Sequence, residues 1–74
     1  MTKLPRNVKP LKMVSIVEKL GFHEIGRKGS HRRYSHSDGR ITQIVVHNKP
    51  IPIGTLRAIL RQIKVTSNEL LQLL

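Results

Sequence analysis

Residues 22–46 read FHEIGRKGSHRRYSHSDGRITQIVV, three short runs punctuated by glycine. Phe22 to Arg27 makes a modest first strand, and Gly29 marks a turn. Ser30 to His36 forms a second strand, followed by Ser37-Asp38-Gly39, a hairpin signal of the Asp-Gly type. Arg40 to Val46 is rich in β-branched residues and is the strongest strand in the chain. Three short runs joined by tight turns predict an antiparallel meander.

Helices flank this meander on both sides. Upstream, Met13, Ile16, Val17 and Leu20 fall at i, i+3, i+4, i+7, the stripe of an amphipathic helix. Pro10 suits its first position, where a missing N–H costs nothing. Gly21 supplies a left-handed C′ residue, and Phe22 can fold back on the last turn. The helix is predicted over 10–20, with residues 1–9 an extension that has the marks of a loose tail. Downstream, Asn48-Lys49-Pro50-Ile51-Pro52 is kept out of helix and ladder by its prolines. Leu56, Ile59, Leu60 and Ile63 then repeat the helical stripe, which predicts a helix over 53–64. Thr66 and Glu69 have capping-box spacing and open a short third helix, with Leu70, Leu71, Leu73 and Leu74 as an apolar end. The expected architecture is α+β, α-β-β-β-α plus a short C-terminal helix, as one domain over 10–74. Helices cover one face of a three-stranded antiparallel sheet and leave the other wet. Double-stranded-RNA-binding domains use this layout.

Composition narrows the partners. The 74 residues hold fourteen Lys plus Arg against four Asp plus Glu, a formal charge of +10, with no Cys. Without cysteine there is neither a disulfide framework nor a thiolate metal site. A charge this high repels itself and suits an anionic partner, nucleic acid first and an acidic protein second. A membrane is disfavoured, because the uninterrupted apolar stretches fall far short of the roughly 20 residues needed to span one. The expectation is a soluble, cytoplasmic protein.

Much of the charge surrounds one histidine: Arg27, Lys28, Arg32, Arg33 and Arg40 fall in the 27–40 hairpin, where they are expected to hold phosphates. Positions 27–36, RKGSHRRYSH, contain four cations and two imidazoles. Strand alternation sends His31, Arg33 and Ser35 to one face and Arg32, Tyr34 and His36 to the other. Tyr34 is the apolar member, so its face meets the helices and His31 faces solvent with Arg33, near Arg27 and Lys28. Imidazole exchanges a proton near neutral pH, and neighbouring positive charge favours its neutral, basic form. RNA carries its own nucleophile, the 2′-hydroxyl. Cleaving it needs a base for that hydroxyl and cations for the charge that develops on phosphorus. His31 suits the first role, and Lys28 and Arg33 the second. A basic strand is more often a plain phosphate-docking surface, and that alternative stands beside the catalytic one.

The remaining candidates are weaker. His23 and His36 are expected at solvated or edge positions. His47 ends the strongest strand, to contact RNA or to close a turn. A metal site is not expected, since His31 and His36 lie on opposite faces and Asp38 is the nearby carboxylate. Arg57, Arg61 and Lys64 form either a solvated helix face or an extra phosphate contact.

Gly21-Phe22, Arg27-Lys28-Gly29-Ser30-His31, Tyr34, Asp38-Gly39, Val46-His47 and Pro52-x-Gly54-Thr55-Leu56-Arg57-x-Ile59-Leu60-Arg61-Gln62, in this order, resemble the HicA toxin family of mRNA interferases over about residues 10–66. The resemblance implies a double-stranded-RNA-binding-like fold and a ribonuclease that needs no metal or other cofactor. Its catalytic histidine would be His31, in Gly-Ser-His. It also implies mRNA as substrate and a cognate HicB antitoxin that covers the active surface in a hetero-oligomeric complex. Arg27, Lys28, Ser30, Arg33 and His47 are the residues expected to contact RNA. This chain departs from the family in its longer, proline-containing N-terminal stretch and in lacking the proline often seen just before the Val-His pair. The competing readings are a non-catalytic RNA-binding module of the same fold and a basic adaptor for an acidic protein.

Overall fold

A computed structural model describes residues 3–74. Its elements run α1 (Pro10–Lys19), β1 (His23–Lys28), β2 (His31–Ser35), β3 (Ile41–Val45), α2 (Ile53–Ile63) and α3 (Ser67–Leu73). The strands form one antiparallel sheet in the order β1-β2-β3. This is the predicted α+β meander, consistent with a double-stranded-RNA-binding-like fold.

The core is built where the two periodicities meet. Met13, Ile16 and Val17 of α1 and Leu56, Ile59, Leu60 and Ile63 of α2 are buried, and from the sheet Tyr34 and Ile44 join them. Burying side chains of this size contributes roughly 1.5–3 kcal/mol each, so the sheet has one face committed to the helices. Thr42 is the buried polar residue on that face, and its hydroxyl donates to Gln62 Oε1 at 2.7 Å.

The ends of the helices carry the expected chemistry. Gly21 has φ +97°. Its N–H reaches the Glu18 carbonyl at 3.1 Å while the Phe22 N–H reaches that of Val17 at 2.9 Å, the two bonds of a Schellman cap. Phe22 is thereby delivered to the core. The same pair closes α2, from Lys64 to Arg61 and from Val65 to Leu60. Here the left-handed residue is Lys64, φ 58°. Thr66 and Glu69 form the predicted capping box, with reciprocal bonds of 3.1 and 3.0 Å.

Three features differ from expectation. Residues 1–2 lie outside the described part, but the rest of the expected tail is not loose. Val8 is buried and its carbonyl accepts from the Ile51 N–H at 2.8 Å, and Leu4 packs on the core. The apolar end of the chain is also only half used. Leu70 is buried and Leu73 packs beside it, whereas Leu71 and Leu74 are exposed, because i, i+3 residues share a helix face and their neighbours do not. Finally, Arg40 is not a solvent-facing cation. Its guanidinium bonds Asp38 at 2.7 Å and the Ile63 carbonyl and lies 5.0 Å from the Phe22 ring centroid. It ties the hairpin to the end of α2.

Two substitutions test the caps. A Cβ at Gly21 would meet His36 Nε2 at 3.0 Å on a backbone already left-handed, so Gly21→Ala should cost about 1–2 kcal/mol. Lys64→Gly relieves the same conformation without a clash and should gain up to about 1 kcal/mol. Thermal melts should move in opposite directions for the two variants, and a shift of the same sign in both contradicts this account of the caps.

Candidate functional site

Burying Tyr34 turns its strand neighbours outward. His31 and Arg33 are exposed on the open face of the sheet. In the ladder His31 sits between Lys28 on β1 and Val45 on β3, and Arg33 between Gly26 and Gln43. These partners share a face. The register of β1 is reset by a bulge between Glu24 and Gly26, so Ile25 is the extra residue.

Gly26, Arg27, Lys28, His31, Arg33 and Gln43 line an open hollow of about 590 Å³, within the span of roughly 300–1,000 Å³ common for ligand sites. A Cβ at Gly26 would have no heavy atom within 4 Å, so a side chain there would stand in the hollow beside Arg33 rather than strain the backbone. The sequence-predicted residues Arg27, Lys28, His31 and Arg33 are thus brought together. Ser30 lies in the β1–β2 turn at the same end, where its carbonyl accepts from the Val46 N–H at 2.8 Å. His47 is not part of the hollow. Its Nδ1 accepts from the Lys49 N–H at 3.0 Å, closing a turn, and it lines a smaller hollow with Ile51, Pro52 and Thr55.

Charge at the hollow is unevenly committed. Arg27 is clamped by Glu24 through two bonds of 2.8 and 2.9 Å. The hydrogen bond from Arg27 holds the Glu24 carboxyl below the usual glutamate range. Lys28 and Arg33 have no ion pair among the described residues, so their charge is available to an anion. Arg32 points toward the helix side and is half-buried. The face therefore presents two free cations and one neutralised one around His31, and no carboxylate lines the hollow.

Gln43 and Gly26 were not anticipated from the sequence. Gln43 Nε2 stands 2.7 Å from His31 Nδ1. The cross-strand register could have found it, since Gln43 shares parity with the outward residues of β3, but that register needs the hairpin length to be known. Gly26 carried no signal that distinguished it from a turn glycine. His36, expected at a solvated edge, instead packs edge-on against Phe22 with ring centroids 5.1 Å apart. Its Nδ1 accepts from the Asp38 N–H at 3.1 Å and stands 3.0 Å from Asp38 Oδ1. The ring thus meets Asp38 as an acceptor when neutral and as an ion-pair partner when protonated.

Among the described residues, no group of three or more His, Cys, Asp or Glu is placed to hold a metal ion, and no helix is long and apolar enough to cross a membrane. What the hollow can do chemically is seat a phosphate against Lys28 and Arg33 and exchange a proton with it through His31.

Three carboxyls away from the hollow's floor contribute to the acid limb of stability. Glu24 is lowered by the Arg27 hydrogen bond, Asp38 by the Arg40 backbone N–H and then the Arg40 charge, and Glu69 by the Thr66 backbone N–H. Each binds its proton less tightly folded than unfolded, so its contribution is complete above the ordinary glutamate value of 4.5 and fades as pH falls through the lowered ones. Melting temperatures recorded from pH 7 to pH 2.5 should decline gently below that point, and a flat profile contradicts the assignment.

A family model described as "HicA toxin of bacterial toxin-antitoxin" matches residues 12–65. The match runs from α1 to the end of α2 and includes every residue lining the hollow. No curated protein matches the chain.

Proposed function

The chain belongs to the HicA toxin family of bacterial toxin–antitoxin systems, and on that premise we propose that it is an endoribonuclease that cleaves mRNA through His31. A cognate HicB-type antitoxin would neutralise it by covering the open sheet face. One observation carries the reading: a solvent-facing histidine lies in a hollow with two unpaired cations and no carboxylate.

The chemistry assigns each residue a task. Lys28 and Arg33 draw a backbone phosphate to the sheet, and Arg27 adds to them as far as Glu24 allows. The neutral His31 imidazole removes the proton from the 2′-hydroxyl of the preceding ribose. That oxygen bonds to phosphorus, and the bond from phosphorus to the 5′-oxygen breaks. The leaving oxygen takes a proton from solvent, which the open hollow admits, and the imidazolium returns its own. The products are a 2′,3′-cyclic phosphate and a 5′-hydroxyl. Charge that builds on the phosphoryl oxygens meets the two cations, the source of electrostatic stabilisation in such a site. Ser30 contributes from the turn beside His31. His47, tied into its own loop, has at most an outer contact.

His31→Ala should lower cleavage by at least about 10²-fold, the contribution expected of a positioned acid–base group, while leaving RNA affinity within a few-fold. The same RNA with 2′-deoxyribose throughout should bind and remain uncut. Cleavage at the parental rate by the variant sinks the assignment. Tight binding without cleavage by the parental protein indicates an RNA-binding module instead.

A further inference from the structure

The contact between His31 and Gln43 is explained neither by packing nor by the charge of the face. It follows from the ladder. Val45 pairs with His31 and Gln43 with Arg33, so Gln43 occupies the diagonal from His31, within reach of a long side chain on the same face. Both residues are exposed, yet the amide nitrogen lies 2.7 Å from Nδ1. An imidazole free to turn about its χ2 bond offers either nitrogen to a substrate. One held at Nδ1 offers Nε2 alone, which is how second groups orient reactive histidines elsewhere.

We propose that Gln43 is the positioning residue for His31, holding Nδ1 and reserving Nε2 for the substrate; the proposal rests on the proton-transfer role given to His31 above. The partner being an amide matters. A primary amide has a donor end and an acceptor end of nearly the same shape. Its NH₂ end donates to an unprotonated Nδ1, which puts the neutral ring's proton on Nε2. Turned end for end, its carbonyl accepts from Nδ1–H, and Nε2 then carries the lone pair that removes the 2′-hydroxyl proton. Once Nε2 has taken that proton the ring bears N–H on both sides, and the carbonyl end remains the fitting one. Gln43 can therefore follow the ring through its cycle without adding charge.

A carboxylate at this position would favour the imidazolium and leave less of the base at neutral pH. The charged groups that share the face of His31 are cationic, Lys28 from β1 and Arg33 on its own strand, while Arg27, which pairs with Arg32 in the ladder, lines the same hollow. From β3 come only the neutral Gln43 and Val45. A neutral orienting group keeps this balance, whereas an acidic one would reverse it.

The test uses Gln43→Ala and Gln43→Glu in the full chain, with His31 ring ¹⁵N shifts measured beside cleavage kinetics on a single-stranded RNA oligonucleotide. Gln43→Ala should lower kcat about tenfold with KM within twofold, and move the ring shifts toward those of a freely rotating imidazole. Gln43→Glu should keep the ring held and move the acid limb of the pH–rate profile up by about one unit. Parental kcat and ring shifts in Gln43→Ala, with an unmoved profile in Gln43→Glu, overturn the proposal. A matched loss of kcat, KM and melting temperature with unmoved ring shifts overturns it as well, because that is the mark of a structural residue. Failure of the underlying catalytic reading is separate: it shows in His31→Ala, and the ¹⁵N shifts then decide alone whether Gln43 holds the ring.

Discussion

Tyr34 and Ile44 can be buried only if His31, Arg33 and Gln43 are not. Strand residues alternate between faces, and this sheet has helices on one side, so committing the apolar members to the core commits the others to water. Everything at the hollow follows from that division. Lys28 and Gly26 come to the same face because β1 pairs with β2 after its bulge, and Gln43 comes because β3 pairs with the other edge. A slip of β2 by one residue against its neighbours would turn His31 toward the helices and expose Tyr34. The core thus enforces the site's geometry as well as the fold's stability.

The basic balance of the chain is partitioned by the same division. Arg40 is spent on Asp38, Phe22 and the Ile63 carbonyl at the end of α2, and Arg27 is shared with Glu24. Among the described residues Lys28 and Arg33 have no ion-pair partner and stand beside His31. A count of cations along the hairpin overstates what an RNA strand would meet, since local carboxylates and the core each claim one. What remains on the open face is one lysine and one arginine beside His31. Lysines and arginines on the helices can add long-range attraction that salt would screen.

Much of the fold was legible because each element carries two independent signals. α1 has a 3.6-residue apolar stripe and a proline–glycine frame, and the hairpin has β-branched runs about an Asp-Gly turn. The face bearing His31 was legible too, since Tyr34 alone settles the parity of β2. What sequence could not supply is whatever depends on register between strands. Gln43 reaches His31 only because His31 pairs with Val45 rather than with a neighbour, and a bulge at Ile25 is invisible without the ladder. Arg40 was misjudged for a related reason: its partners Phe22 and Ile63 lie 18 and 23 positions away in the chain. Val8 was read as tail because a single apolar residue beside Pro10 has no periodicity, although the Ile51 N–H fixes it.

The central claim is that this face cleaves RNA by turning its own 2′-hydroxyl on the adjacent phosphorus, with His31 moving the proton. Mass spectrometry of the ends left on a single-stranded RNA oligonucleotide tests that claim most directly. The account predicts fragments ending in a 2′,3′-cyclic phosphate and beginning with a 5′-hydroxyl. Fragments beginning with a 5′-phosphate would mean that water, not the ribose, is the nucleophile, and would contradict it.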